Sequence, residues 1–582
     1  MKIVTFFKIL SVFVLLCGTC LLNASGEDTG KAPEENPKNC EASLTIDDLG
    51  VICGKTVTVP LNPDLNKPKD LHKPRKVQVR AFTGIPYAEP PNRGLRWQPP
   101  KPKKGWLGTL DATQPCPQCP QSKNFKIKDH PMQEDCLYLN VWTPANITKP
   151  LPVMFFIHGG AFMEGSGGGP LFDGSYLAAY GEVVVVTINY RLGILGFLVH
   201  PEEGLHGNFG LMDQECALQW VYDHIGPFGG DKHNITIFGE SAGASSIGFH
   251  LMMKNTVFEA AIMESNPYAL PYLTEAHAAT IGQKLVGNIN MSVSEMRKMG
   301  WCELKPLLDE AAKDISSFVL GKLKWGLKGL MIWKPVIRDK TYGFNSQPIN
   351  AVLQTKKKLI VGTNRDEGVM FADIVKNAIK QYLKEHIFIT FGKIKMWSPI
   401  YKAAIKALFP DQRHSKQILK KYPAKWWIFA DNSFQFARVL TDCLFTGGNL
   451  YYMDNIDKVD GSDLYAYFYT HVSKDYCFPC NLPDCKDYVC HSAELPYVFH
   501  NFDSPNGKGE ANVADKYFSD AVVNYWTNFA KNKQPGGSWK NWSQYGYRKL
   551  DVDVPPVQVT RQEMAEKCKY SFWKSIIKEL NE

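Results

Sequence analysis

Within residues 234–246, NITIFGESAGASS, a single serine, Ser241, stands between Gly239 and Gly243. A serine hydroxyl is a weak nucleophile until a neighbouring base takes its proton, so the chemistry open to such a residue is acyl transfer. Ile235, Thr236, Ile237 and Phe238 read as a buried strand, and the small residues from Ala242 to Ser246 as the opening of a tightly packed helix. On a sharp strand-to-helix turn, G-x-S-x-G holds its serine in a strained conformation, with the hydroxyl exposed and a helix N-terminus behind it. The pentapeptide alone fits equally well a helix start whose glycines merely let helix and strand approach, so other residues must decide.

Acyl transfer needs a base, a carboxylate to orient it, and donors for the oxyanion. Residues 155–162, FFIHGGAF, end a strand in Gly159-Gly160, where backbone N–H groups can face a developing charge unobstructed. With the N–H of Ala242 they make a three-donor hole, and loss of one such donor typically costs ~3 kcal/mol. His158 and Phe162 read as packing and support. For the acid, the strand ending VGTNRDEG offers Asp366 and Glu367; composition does not choose between them. For the base, His491 follows Cys490 in a polar-to-apolar loop that a Cys485–Cys490 pair could clamp, whereas His500 reads as a surface residue. The order Ser, Asp/Glu, His is the one that an α/β-hydrolase sheet uses.

The elements that must position these groups are apolar strands alternating with helices. LPVMFFI, EVVVVTINYRLG (182–193), the strand before Ser241 and KKLIVGTN are such strands, and GLMDQECALQWVYDHI is a helix between two of them. The pattern predicts an α/β fold with a large, mostly parallel central sheet covered by helices on both faces. No linker or internal repeat divides the chain, so residues 39–582 read as one large domain. Stretches 270–350 and 370–470 read as helical and loop-rich, lining a gorge over the sheet.

Bulk properties narrow the class. Hydrophobic residues make up 44% of the 582 residues and charged ones 21%, the composition of a globular protein. The net charge of +8 reads as mild and spread along the chain, without the basic, aromatic-interleaved block that nucleic-acid binding needs. Lys2 and Lys8 followed by an uncharged run from Ile9 to Leu22 read as a secretory signal peptide (residues 1–25), with a polar segment at 26–38. No later stretch is apolar for 18 residues, so no membrane span is expected, and the protein reads as secreted or lumenal. Cys17 and Cys20 leave with the signal, and thirteen cysteines stay. In an oxidising compartment these favour disulfides, and an odd number leaves at least one free, for which Cys216, at an apolar helical position, is the choice. The Cys477, Cys480, Cys485 and Cys490 cluster also has zinc-like spacing, but local disulfides are the favoured reading. Asn146, Asn290 and Asn541 head glycosylation sequons; Asn23 leaves with or near the signal, and Asn234 adjoins the Ser241 strand.

The ordered landmarks carry a resemblance. FGGDKHNITIFGESAG (228–243), EDCLYLNVWTP (134–144), FTGIPYAEPP, INYRLGILGFL, GNFGLMDQ and ELPYVF resemble the type-B carboxylesterase and cholinesterase family of α/β-hydrolases, over essentially all of residues 40–575. The resemblance implies Ser241 as nucleophile, His491 as base and Glu367 rather than Asp366 as acid, with Gly159, Gly160 and Ala242 as oxyanion donors. It also implies a Cys119–Cys136 bridge, a Cys443–Cys568 bridge tying down the C-terminal helix, and buried ion pairs Arg96–Glu134 and Arg191–Asp213. Where the family often carries the first cysteine of a mid-chain bridge this chain has Asn288, which leaves Cys302 without a partner. The loop between Cys119 and Cys136 lacks the tryptophan with which cholinesterases hold a quaternary ammonium, which argues against choline esters.

The expected activity is hydrolysis of small-molecule carboxylic esters by a serine esterase, with no metal or organic cofactor. The alternatives are cholinesterase- or lipase-like specificity, or a non-catalytic interaction or ligand-storage protein on the same scaffold. Sequence sets neither the oligomeric state nor the pairing of Cys40, Cys53, Cys116, Cys302, Cys477 and Cys480.

Overall fold

The structure is a computed structural model of the whole chain, and it describes residues 40–63, 75–121, 130–254, 256–319, 325–351, 356–387, 395–427, 430–460, 463–552 and 557–582. The expected signal peptide, the polar segment at 26–38 and Asn23 lie outside the described residues.

Among the described residues one sheet has thirteen strands. They are β1 (Ala42–Ile46), β2 (Gly50–Leu61), β3 (Arg75–Pro86), β4 (Thr109–Asp111), β5 (Tyr138–Pro144), β6 (Leu151–Ile157), β7 (Val184–Ile188), β8 (Gly230–Glu240), β9 (Ala260–Glu264), β10 (Lys358–Asn364), β11 (Leu464–Tyr469), β12 (Tyr547–Leu550) and β13 (Gln558–Val559). The order is β1-β2-β3-β5-β7-β6-β8-β9-β10-β11-β12-β13, with β4 beside β2. From β7 to β12 every neighbour is parallel, and antiparallel strands close both flanks. The fold class is the α/β-hydrolase one expected from sequence.

Strand periodicity sorts the core onto two faces. Phe155 and Ile157 of β6 and Ile235 and Ile237 of β8 join one apolar cluster, with Leu218 and Val221 of helix α1 (Phe209–His224) and Ile247 and Phe249 of helix α2 (Ala242–His250). Met154, Phe156 and Phe238 point to the other face, against Val522, Trp526 and Phe529 of a helix at Val513–Asn532. Strands buried on both faces need continuous apolar runs, which is why β6, β7 and β8 read so plainly in the sequence.

Register then fixes where the chemistry emerges. Ile157 of β6, Gly239 of β8, Met263 of β9 and Val361 of β10 stand side by side. The residues that follow, Gly159-Gly160, Ser241, and Glu367 in the loop after β10, therefore leave the sheet along one edge. Carboxyl ends of parallel strands are where open α/β sheets hold ligands. The 370–470 region supplies helices α3 (Gly368–Ile387), α4 (Ser398–Leu408), α5 (Gln412–Lys421) and α6 (Ser433–Leu440).

Four disulfides join Cys40–Cys53, Cys119–Cys136, Cys477–Cys480 and Cys485–Cys490. The last two consume the cluster with zinc-like spacing. Cys116, Cys216 and Cys302 are free thiols. The expected Cys443–Cys568 bridge is a correction: both are buried free thiols. Cys568 lies at the end of its helix with its thiol directed at the carbonyl of Ala565, 3.9 Å away. The C-terminal helix α7 (Tyr570–Leu580) is tied down instead by polar contacts. Trp573 Nε1 donates to Tyr422 Oη (2.8 Å), which donates to Asp442 (2.7 Å), and Tyr570 Oη donates to Asp454 (2.9 Å). His500, read as a surface residue, is half-buried and stacks on Tyr176 at 3.6 Å between ring centres. Arg96 pairs with Glu134 through two hydrogen bonds (2.5 and 2.6 Å), and Arg191 with Asp213 (2.7 and 2.8 Å), all four buried. Asn288 donates to the carbonyl of Ala311 (3.1 Å).

Candidate active site

Ser241 has φ 56° and ψ −117°, outside the regions that a serine prefers. Packing enforces this turn. A Cβ on Gly243 would lie 1.9 Å from the carbonyl oxygen of Ile157, and one on Gly239 2.6 Å from the same atom. Only glycine on both sides lets β8 turn into α2 against β6. The Ser241 N–H donates to the carbonyl of Glu264 at 2.9 Å, while its side chain, half-buried, makes no hydrogen bond to a described residue.

The turn after β6 faces this serine. A Cβ on Gly159 would sit 3.1 Å from Ser241 Cβ. Gly160, at φ 101°, closes the turn by accepting from Met163 and Glu164 N–H at 2.9 and 3.1 Å. The N–H groups of Gly159, Gly160 and Ala242 donate to no acceptor among the described residues. Buried amides are almost always paired, so unpaired N–H groups on the turn after β6 and at the start of α2 leave donors available near Ser241, at a helix N-terminus. His158 stacks on Tyr190 (4.5 Å) and Phe162 packs on Phe197 (5.3 Å), so both support this turn, as expected.

On the far side Glu367 Oε2 accepts from His491 Nδ1 at 2.6 Å, and its Oε1 accepts the Asn364 N–H at 2.7 Å. Both side chains are buried. Asp366 points elsewhere: its Oδ2 accepts from the N–H of Val489 (3.1 Å) and from Arg365 Nε (2.7 Å). The two adjacent carboxylates thus divide into one that holds the imidazole and one that holds the loop before it. That loop is also clamped by Cys485–Cys490 and by Asn364 Nδ2 donating to the Cys490 carbonyl at 2.9 Å. Phe371 and Phe445 flank the His491 ring at 5.3 and 5.1 Å.

Sequence reasoning missed the carboxylates behind the imidazole. Glu240 Oε1 lies 3.1 Å from His491 Nε2, in an alignment that makes no hydrogen bond, and it accepts from Ser492 Oγ at 2.7 Å. Glu494 accepts from Ser265 Oγ (3.0 Å) and from Asn364 Nδ2, and Glu264 from Trp526 Nε1 (2.7 Å). Glu240 adjoins Ser241 and Glu494 is three residues past His491, but only the fold brings them together with Glu264. Burial pushes the Glu240 carboxyl up, despite the opposing pull of His491, and pushes Glu264 well above the carboxylate range. Burial together with the charges of Glu240 and Glu367 takes Glu494 to about 8. For His491 burial works downwards, but Glu240, Glu367 and Glu494 together outweigh it and hold the imidazole at about 9.

A serine on a strained elbow, unpaired amides on the adjoining turns and a carboxylate-bound histidine at one end of the sheet define the class: an α/β-hydrolase of the serine type. Family comparison is specific. The carboxylesterase family model matches residues 68–573. Para-nitrobenzyl esterase of Bacillus subtilis is 32% identical over 489 residues, spanning 80% of this chain and 89% of that protein. Human bile salt-activated lipase is 32% identical over 474 residues, 78% of this chain and 60% of that one. A "Crystal protein" of Dictyostelium discoideum is 32% identical over 474 residues, 78% and 79% of the two chains. The solved structure of a thermophilic PNB esterase superposes with a TM-score of 0.70 at 27% identity, covering 90% of this chain and 99% of that one. The chain belongs to the carboxylesterase family and is a carboxylic ester hydrolase.

Proposed function

We propose that the protein is a secreted serine esterase that cleaves small carboxylic esters through an acyl-enzyme held on Ser241. His491 Nε2 takes the proton from Ser241 Oγ as that oxygen attacks the ester carbonyl carbon. The oxyanion is stabilised by the N–H groups of Gly159, Gly160 and Ala242, and Glu367 fixes the imidazole and stabilises its charged form. The intermediate collapses, the C–O bond breaks, and the alcohol leaves with the proton from His491. Water then repeats the attack on the acyl carbon with His491 again as base, releasing the acid and restoring Ser241.

The observation that carries this reading is the 2.6 Å Glu367–His491 contact at Nδ1, with Nε2 lacking a hydrogen-bond partner among the described residues. Ser241 Oγ and Nε2 are not hydrogen-bonded to each other, and such contacts commonly tighten only with substrate. The flanking Phe371 and Phe445 rings favour an apolar acyl or alcohol group. Four disulfides support an oxidising compartment, hence secretion or residence in the lumen, and among the described residues no helix is long and apolar enough to cross a membrane. Asn146 and Asn290 are exposed and suit glycosylation; Asn541 is half-buried, its side chain accepting from Ser543.

Stopped-flow hydrolysis of p-nitrophenyl acetate tests the acyl-enzyme. A burst of nitrophenol approaching one per active site, followed by slower turnover, is expected. Linear turnover without a burst, combined with failure of added alcohols to trap an acyl group, would point to direct attack by water.

A further inference from the structure

The net charge expected to be spread along the chain is concentrated. Residues 395–427 carry seven lysines and Arg413 against a single acid, Asp411. All seven lysines, 395, 402, 406, 416, 420, 421 and 425, are exposed. The same segment holds the most exposed large apolar side chain of the described residues, Trp426 at 92%, with Trp427 beside it at 54%. Their rings are 5.9 Å apart. Trp397 (39%) and Phe434 (45%) are also exposed.

Hydrogen bonds gather these residues at one corner. Tyr401 Oη donates to the Tyr422 carbonyl at 2.7 Å, pinning the start of α4 to the end of α5. Ser398 Oγ donates to the Lys425 carbonyl (3.0 Å), Lys425 N–H to Asn432 Oδ1 (2.7 Å) and Asn432 N–H to the Met396 carbonyl (2.9 Å). Trp397, at the start of α4, and Trp426-Trp427, after α5, therefore sit on loops sewn together, with Lys395, Lys402, Lys420 and Lys425 close in chain. Phe434 continues the apolar surface to Tyr488 (5.8 Å), on the loop that leads to His491.

Exposed tryptophans on a segment with a large surplus of exposed lysines match one kind of surface best. Tryptophan settles at the headgroup level of a lipid layer, and each lysine near an anionic layer gains electrostatically. Protein interfaces are by contrast depleted in lysine and favour arginine around buried aromatic anchors, and here lysine outnumbers arginine seven to one. We propose that this corner docks the protein on a lipid–water interface bearing anionic headgroups, with Trp426 and Trp427 inserted and the lysines against the lipid charges. This goes beyond the proposed esterase reaction, and it is read without any turnover.

Co-sedimentation of the full secreted chain with vesicles tests it, comparing phosphatidylcholine alone with phosphatidylcholine mixed with phosphatidylglycerol. Strong preference for the mixed vesicles and release by salt are expected. Lys402→Gln and Lys420→Gln should each weaken binding about fivefold, and Trp426→Ser with Trp427→Ser by about tenfold or more. An unchanged unfolding midpoint and unchanged hydrolysis of a soluble ester establish that the variants are folded. Should the tryptophan variant not fold, quenching of wild-type tryptophan fluorescence by brominated lipid reads the same insertion. Equal binding to both vesicles, no binding, or binding insensitive to all four substitutions would overturn the proposal. So would a concentration-dependent dimer that the tryptophan variant abolishes, since a second copy would then be the occupant.

Discussion

Replacing Glu240 by glutamine should move the pH dependence of the esterase downwards. The Glu240 carboxyl is buried and 3.1 Å from the His491 nitrogen that the proposed reaction uses, in its neutral form, as the base. A full charge at that separation would favour the imidazolium by ~5 kcal/mol at an effective dielectric of about 20. Burial raises the Glu240 carboxyl itself, so only part of that charge acts. A shift of about 1–2 pH units, ~1.4–2.7 kcal/mol, is the expected size. Glutamine keeps the shape and can still accept from Ser492. With His491 held at about 9 in the native cluster, kcat/KM should rise well into the alkaline range as the imidazole loses its proton. In Glu240→Gln this rise should come about 1–2 units earlier, while the plateau falls because the imidazolium formed during attack has lost a counter-charge. The assay is kcat/KM against pH for an ester followed at a wavelength insensitive to product ionisation. A limb that stays in place, or moves to higher pH, would refute the assignment of negative charge to Glu240 beside His491.

Gly160→Ala should lower kcat by about 100-fold or more, because a Cβ there meets the Glu164 carbonyl at 2.1 Å and φ is 101°, so the turn carrying two proposed oxyanion donors must move; steady-state kinetics with a folding control checks this. His471, between Asp515 (2.8 Å) and Asp551 (3.7 Å), has its pKa raised: the two carboxylates outweigh the opposing effect of burial. Its stabilising contribution is therefore fully present below the ordinary histidine pKa and lost as pH rises through the raised value. The Tm gap between the native protein and His471→Gln should be widest near pH 5–6 and should narrow towards alkaline pH. Thiol titration of residues 40–582 should find five free cysteines in the denatured chain, and rapid reaction of exposed Cys302 alone in the native one. Burial raises the Cys116 thiol to about 11 and the Cys216 and Cys568 thiols to about 12. Three denatured thiols instead of five would restore the Cys443–Cys568 bridge.

What was legible in the sequence follows from which interactions are local. The strand before Ser241 and the helix after it read directly, because apolar runs and small residues dictate them at short range. The strained turn at Ser241, the glycine turn at 159–160 and the disulfide clamp before His491 all lie within a few residues of the group they position. Family resemblance preferred Glu367 to Asp366; the structure adds the reason, since Asp366 is taken up by the Val489 amide and Arg365. The carboxylate cluster was not legible, because Glu240 and Glu264 meet only through the parallel register of β8 and β9, and Glu494 joins them from the loop after His491 through hydrogen bonds from Ser265 and Asn364. The Cys443–Cys568 expectation failed because resemblance of flanking residues says nothing of where a thiol points. The basic, tryptophan-bearing corner was missed because its lysines are spaced along two helices rather than in a run.

Covalent labelling tests the central claim most directly: incubation of the protein with a fluorophosphonate, mass mapping of the adduct, and the same experiment with Ser241→Ala. The account predicts a single adduct on Ser241, loss of ester hydrolysis in step with labelling, and neither label nor turnover in the variant. Turnover that survives in a folded Ser241→Ala protein, or an adduct on another residue that tracks the loss of activity, would contradict it.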